Sequence, residues 1–300
     1  MDTRQLEYFV TVAEELNFTR AARRLFAVQS TVSAGIRSLE HDVGAALFER
    51  SSKRVVLTSA GVALLPEARA AIEAIDRVHN SVALTKGGIR GRLRVGIFTA
   101  LDFMDLPAVF GGFHERYPFV DLQLVASPTG STGLADDVRR GRIDMAFMGL
   151  PPADLAGFHV LELARSPFVA VLPPGHPLAA QPAVGLAELA AQRWVDTLEG
   201  FGNRIAVDRA LAAAGLGRVV TTEVADLGEV PRFVAAGLGV AVLPTITYRA
   251  APGVVVLPVT DDGLEWTFSA ISRPTPSVAV ATLLELFEER IRASGGGDPR

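Results

Sequence analysis

The sequence predicts an α/β protein with a small all-α winged helix-turn-helix at its amino-terminal end, and three observations carry that prediction. Apolar residues recur at helical spacing over the first forty-odd positions, with one tight turn among them and a short basic hairpin after them. A glycine-rich stretch, "KGGIRG" at 86–91, then marks a boundary. From Arg92 onward, short apolar strands alternate with helices, the pattern of an α/β domain with parallel sheets. The 300 residues suffice for about two to three folding units.

The first helix is written by Leu6, Phe9, Val10 and Ala13 and runs out before Asn17 and Phe18. Thr19 is placed to cap a second helix, with Ala21, Ala22 and Leu25 facing inward and Arg20, Arg23 and Arg24 outward. A turn over 26–29 leads to a third helix capped by Ser30 or Thr31. Its buried stripe is Val32, Ile36, Leu39 and Val43, leaving Gln29, Ser30, Thr31, Ser33, Ala34 and Arg37 on its exposed, amino-terminal side.

In such a helix-turn-helix the start of the third helix enters a major groove. Its amides and hydroxyls position phosphates while Gln29, Ser33 and Arg37 probe base edges. Charge agrees: between Phe18 and Thr58, Arg20, Arg23, Arg24, Arg37, Arg50, Lys53 and Arg54 face Glu40, Asp42 and Glu49, a local +4 in a chain of net −4. A solvated helical hairpin of another domain shows the same spacing and charge. The next segment, "LFERSSKRVVLTSAG", weighs against it: Leu47–Phe48 and Val55–Leu57 flank a polar tip, so a basic hairpin follows the helices as a wing, with Arg50, Lys53 and Arg54 set for the sugar-phosphate backbone or minor groove.

Taken together, "LEYFVTVAEELNFTRAARRLFAVQSTVSAGIRSLEHDVGAALFERSSKRVVLTSAG" resembles, in register, the amino-terminal domain of the LysR-type transcriptional regulators. In one respect it departs: many members carry a long polar or basic side chain at the position of Ala34, and here Ala34 and Gly35 are both small. That shifts base readout toward Gln29, Ser30, Ser33 and Arg37.

Thr58 caps a longer helix reaching about Leu84, in which Leu65, Ala68, Ile72, Ile75, His79 and Val82 form a heptad-like seam and Pro66 introduces a kink. Such a seam needs a partner, and pairing with a second copy would set two wings on a two-fold-related operator; packing on its own domain is the alternative. The expected organisation is a DNA-binding domain over 1–58, a dimerisation helix over 59–86, a hinge over 87–91 and an effector-binding domain over 92–300.

In that last region strands are expected at "LRVGI", "DLQLVA", "DMAFMG", "FVAVLP", "WVDT", "VVTTEV", "GVAVLP", "VVVLPV" and "WTFSAIS", with helices near 107–117, 134–140, 205–214, 227–236 and 278–292. Through "GRIDMAF", "PPGHPLA", "LAELA" and "FVAAGLGVAVLP", it resembles the effector domain of the same family. The resemblance implies a two-lobed, periplasmic-binding-protein-like (type 2) fold, with lobe I over about 92–164 and 266–293, lobe II over about 165–265, and effector between them. By position the cleft then takes Thr99 and Ala100, Ser127, Thr129 and Gly130, Phe147 and Gly149 from one lobe. Phe201, Gly202, Asn203, Arg204 and Asp226 come from the other.

Hydroxyls beside helix-start amides suit a carboxylate or another anion, and Arg204 offers a charge-assisted contact. Helix capping by Thr99, Ser127 and Thr129, core packing by Phe147 and Phe201, and a solvated Arg204 are the ordinary alternatives.

Catalysis has nothing to rest on. There is no G-x-S-x-G elbow, P-loop, paired-histidine zinc helix or G-x-G-x-x-G fingerprint, the five histidines are scattered, and cysteine is absent. No cofactor or metal is expected. Asp2, Glu7, Glu14 and Glu15 stand where a secretory signal needs a basic start, so a cytoplasmic address is expected, and no membrane partner.

The reading is a bacterial one-component regulator whose partners are double-stranded operator DNA, a small-molecule effector, further copies of itself (a homodimer, and by family resemblance a homotetramer) and, if it activates, RNA polymerase. A stand-alone solute-binding protein would lack the basic wing. An architectural DNA-binding protein would lack the glycine and hydroxyl residues at the strand ends.

Overall fold

The computed structural model describes residues 1–50, 54–83, 88–98 and 101–294, which fall into two compact units, Met1–Gly88 and Ile89–Arg300.

The first unit opens with α1 (Thr3–Glu15), started by a capping box in which the Asp2 carboxylate accepts from the Gln5 amide at 2.8 Å and the Gln5 side chain accepts from the Asp2 amide. Its buried stripe is Leu6, Phe9, Val12 and Ala13; Val10, expected there, is half-buried at the edge. Helix α2 (Phe18–Arg24) is capped by Asn17, whose carbonyl oxygen accepts from the amides of Thr19 and Arg20 at 2.9 and 3.0 Å. This corrects the expected Thr19 cap: an asparagine two residues earlier reaches the same orphan donors and lengthens the helix.

Helix α3 (Gln29–Val43) begins directly after Val28 with no side-chain cap, so Ser30 and Thr31 lie in its first turn rather than capping it. Its stripe of Val32, Ile36 and Leu39 is buried as expected, while Val43, in the last turn before Gly44, is exposed. Gly35 permits the close approach of α3 to α1, since a Cβ there would lie 2.5 Å from Cδ2 of Tyr8.

The wing is a two-stranded antiparallel hairpin, β1 (Phe48–Arg50) and β2 (Val55–Leu57), with Phe48 opposite Leu57. Phe48 packs against Phe9 and Phe18 with ring centroids 5.5 and 5.8 Å apart, which ties the hairpin to the helices.

Thr58 caps α4 (Ser59–Ala83) as expected, its hydroxyl accepting from the Gly61 amide at 3.0 Å. One expectation is corrected here. Over its first half the supposed seam is turned onto its own winged module: Ala68 is buried in that core, Leu65 and Ile72 pack against it, and Arg69, also buried, pairs with Glu14 at 3.0 Å. Ile75 is half-buried, and the side chain of Val82 lies outside the described residues, as does that of His79.

The second unit is built from β3 (Gly91–Ile97), α5 (Leu106–Arg116), β4 (Val120–Ala126), α6 (Gly130–Arg139), β5 (Met145–Met148), β6 (His159–Leu172), α7 (Leu186–Ala190), β7 (Arg193–Thr197), α8 (Gly202–Ala213), β8 (Val219–Val224), α9 (Val230–Ala235), β9 (Ala241–Pro244), β10 (Val255–Pro258), β11 (Glu265–Ser272) and α10 (Val278–Ser294). The sheets are mixed, not parallel as expected. β3 pairs in parallel with β4 and β5, but β11 runs antiparallel to both β5 and β6, and β6 antiparallel to β9 and β10.

The cause is β6. Its first half joins the sheet β4-β3-β5-β11-β6 of lobe I, and its second half continues into lobe II beside β9 and β10. The parallel pair β7–β8 attaches to β9 through the bridge from Trp194 to Val240. The chain thus crosses between lobes near Ser166 and returns near Glu265.

In lobe I, Phe110, Phe147, Phe268 and Phe287 interlock on the side of α5 and α10, whereas Leu134 and Val138 of α6 cover the other face. Lobe II closes over Val195, Leu227, Val230, Val234 and Leu243.

Candidate nucleic-acid interface and effector cleft

At the amino-terminal unit, the start of α3 is open to solvent. Gln29, Ser30 and Thr31 are exposed, no acidic residue stands in the first turn, and no side chain occupies the free amides. The helix dipole and those amides favour phosphate. Arg37, two turns on, is exposed as well.

Ser33 is placed differently from the expectation: it is buried, its hydroxyl accepting from the Gln29 side-chain amide at 2.8 Å. Ser33 thus holds the Gln29 side chain instead of standing exposed itself. Thr19 and Arg20 are exposed at the start of α2, and Arg20 is held by the carboxylate of Glu15 at 3.2 Å, while Arg24 bridges Glu14 at 2.9 Å and Glu15 at 3.2 Å. These acidic partners draw part of the positive charge inward. On the wing Arg54 is exposed. Arg50 has its backbone in β1, but its side chain and the whole of Lys53 lie outside the described residues.

In the second unit the expected cleft residues of the two lobes meet at the starts of α6 and α8. The amide of Thr132, in the first turn of α6, donates to the carbonyl of Gly200 in the other lobe at 3.0 Å. Three glycines make this approach possible. A Cβ on Gly130 would fall 2.6 Å from the Phe201 ring, one on Gly200 would fall 2.5 Å from the Thr129 carbonyl oxygen, and one on Gly202 would fall 2.1 Å from the Gly149 carbonyl oxygen. Two ion pairs flank the seam, Arg209 with Asp154 at 2.6 Å and Arg249 with Asp102. Ser127 and Thr129 share a 3.1 Å hydrogen bond over the first turn of α6.

The remaining cleft candidates have internal partners. Phe147 is fully buried and stacked on Phe268, in the core of lobe I rather than at its mouth. Asn203 is buried, donating to Asp196 at 3.0 Å and accepting from the Thr197 hydroxyl at 3.2 Å. Arg204 donates to the Thr197 carbonyl at 2.8 Å and pairs with Glu223, so its charge serves lobe II. Asp226 caps the turn that follows it, accepting from the Gly228 amide at 2.9 Å. Thr99 and Ala100 lie outside the described residues.

Two family models match the chain: "Bacterial regulatory helix-turn-helix protein, lysR family" over residues 3–62 and "LysR substrate binding domain" over residues 86–292. The chain belongs to the LysR family of bacterial transcription regulators. Among its LysR relatives, the HTH-type transcriptional regulator ShiR of Corynebacterium glutamicum (strain R) is 35% identical over 268 residues, 88% of this chain and 90% of that protein. The transcriptional dual regulator GltC of Bacillus subtilis (strain 168) is 34% identical over 249 residues, 83% of this chain and 82% of that one. A full-length OxyR structure from Pseudomonas aeruginosa superposes with a TM-score of 0.74 at 27% identity, covering 97% of this chain and 95% of that one.

This LysR-type regulator is therefore a DNA-binding transcriptional regulator with an effector-binding domain, and its family is one of regulators rather than enzymes. Among the described residues, no helix is long and apolar enough to cross a membrane, and no group of three histidine, aspartate or glutamate residues could hold a metal ion.

Sequence reasoning missed the buried polar centre behind the α8 start. Arg218 and Asp196, both almost fully buried, pair at 2.6 Å, and the guanidinium stacks 4.4 Å from the Trp194 ring centroid. Burial pushes the Asp196 carboxyl up from its ordinary range, opposed by Arg218 and by the hydrogen bond from the Thr197 amide. An isolated aspartate in an apolar strand, "RWVDT", was the available signal. Its partner lies twenty-two residues away, in a loop.

Proposed function

We propose that this regulator senses a small anion admitted between its two lobes at the start of α6. The observation that carries the reading is the hydrogen bond from the Thr132 amide to the Gly200 carbonyl. A backbone acceptor from the opposite lobe sits on a helix-start donor that an anionic oxygen would also satisfy. Ser127, Thr129 and Gly130 supply the lobe I side, and Gly149, Phe201 and Gly202 the rim where the lobes touch. Thr99 and Ala100 belong to the same site by sequence position.

Effector exchange for the Gly200 carbonyl would alter the lobe seam and, through α4 and the 87–91 hinge, the spacing of paired winged modules on a dyad operator. The effector acts only through differential affinity for the two arrangements. Positive φ angles at Gly88 and Gly91, +139° and +119°, suit such a hinge. Assembly as a homotetramer, contact with RNA polymerase during activation, and a cytoplasmic location belong to the same proposal. With no cysteine in these 300 residues, a thiol switch has no group to act on here.

The test is a thermal-shift screen of the full chain against small carboxylates and inorganic phosphate, with operator affinity measured for each hit. A hit should raise Tm and change operator affinity, and Ser127→Ala with Thr129→Val should abolish both. Hits that survive this pair of substitutions would contradict the site.

A further inference from the structure

The turn of the helix-turn-helix carries an anomaly that the fold does not use. Helix α2 ends in a Schellman-type cap: the Phe26 amide donates to the Arg23 carbonyl at 3.1 Å and the Ala27 amide to the Ala22 carbonyl at 2.9 Å. The residue at the left-handed position of this cap is normally glycine or asparagine. Here it is Phe26, at φ +50°, a conformation disfavoured for a bulky side chain. The ring gains nothing from the protein in return. It is 99% exposed and takes no part in the winged core, and Val28, the residue before α3, is 68% exposed beside it in sequence.

Scattered single apolar residues on a surface are ordinary. A fully exposed aromatic ring in a strained turn, three residues before Gln29 and flanked by Arg23 and Arg24, is not. Its neighbourhood is the open, positively biased start of α3, which meets DNA in this family. The chemistry there that rewards an apolar ring is the thymine C5-methyl in the major groove and the adjoining deoxyribose face.

We propose that Phe26, assisted by Val28, is a specificity residue that reads thymine methyl groups at the edge of the operator half-site. Binding buries the ring, the exposed Arg23 fixes its register through a phosphate, and the left-handed turn holds it outward before DNA arrives.

The test pairs two deletions. Operator duplex selected by the full chain from a randomised pool is prepared with thymine and, separately, with uracil throughout, which removes each C5-methyl and keeps the base pairing. Wild type, Phe26→Ala and Phe26→Asn are compared by fluorescence anisotropy. Asparagine tolerates the left-handed turn, so Phe26→Asn keeps the cap while deleting the ring.

Wild type should bind the uracil duplex about fourfold or more weakly, the worth of one buried methyl. Both variants should lose about five- to tenfold on thymine DNA and show less, or none, of the wild-type penalty on going to uracil. Equal uracil penalties in wild type and variants would overturn the proposal, as would unchanged affinity on thymine DNA. Lost promoter activation with unchanged DNA binding would assign the ring to a protein partner and overturn it too.

Discussion

Two helix starts, one in each unit, use the same physical device in opposite settings. Both α3 and α6 begin without a side-chain cap and with serine and threonine in the first turn, "QSTVS" in one and "GSTG" in the other. At α3 the amides face solvent. At α6 a carbonyl from the other lobe already occupies the Thr132 donor, and Phe201 closes over Gly130. An uncapped helix start favours an anion in either place. What differs is access: α3 suits a large, rigid polyanion that cannot enter a cleft, and α6 suits a small one that must displace a contact.

The largest expected effect separates the two units altogether. Asp196→Ala would remove the buried one of the two carboxylates on Arg218, leaving only the half-exposed Asp208 at 2.8 Å, and would take away the acceptor of the Asn203 side-chain amide, loosening the α8 start that presses on α6. A loss of about 3 kcal/mol is expected, read as a lowered calorimetric transition of the effector unit while that of the winged unit stays in place. A uniform shift of both transitions would show that the units are not independent.

Gly202→Val should cost about 1–3 kcal/mol, because the added carbon atoms meet the backbone of Gly149. Hydrogen exchange at the Thr132 amide should accelerate as the lobes part, with amides of α3 unchanged.

On the α3 side, Arg37→Ala should cost about 1–3 kcal/mol on the selected operator and relax base preference, whereas Arg54→Ala should weaken all duplexes alike and lower the salt slope by about 1. Anisotropy over a salt series distinguishes them.

The smallest effect is a pH dependence. The hydrogen bond from Arg165 holds the Glu162 carboxyl below its ordinary range. A depressed folded-state pKa contributes stability above the unfolded value and loses it as pH falls through the folded one. Glu162→Gln should therefore lower stability slightly at neutral and alkaline pH and leave it nearly unchanged below the folded-state pKa, so that the acid side of the stability profile, followed by thermal melts across pH, flattens.

Much of this was legible in the sequence because it is local. The stripe Val32, Ile36 and Leu39, the hairpin at Phe48–Leu57 and the Thr58 cap depend on neighbours within a few residues, and each stands where the spacing puts it. The first half of β6, "HVLELARS", was not legible. Its charged, half-exposed alternation resembles a loop until β11 pairs with it from a hundred residues away. The first half of the α4 seam was placed on the wrong partner for the same reason: a heptad-like stripe names a buried face but not what covers it, and Ala68 packs in the winged core itself. At the lobes, hydroxyls and glycines at strand ends marked the region. Which of them touch across it was set by α8, whose Asn203 and Arg204 are committed to lobe II.

The most direct test of the account is fluorescence anisotropy of the full chain on the DNA flanking its own gene, against a scrambled duplex, across a salt series. An open α3 start backed by a basic wing predicts preference for the native fragment, with affinity falling steeply as salt rises. Equal affinity for both duplexes, or no binding by a folded chain, would contradict it.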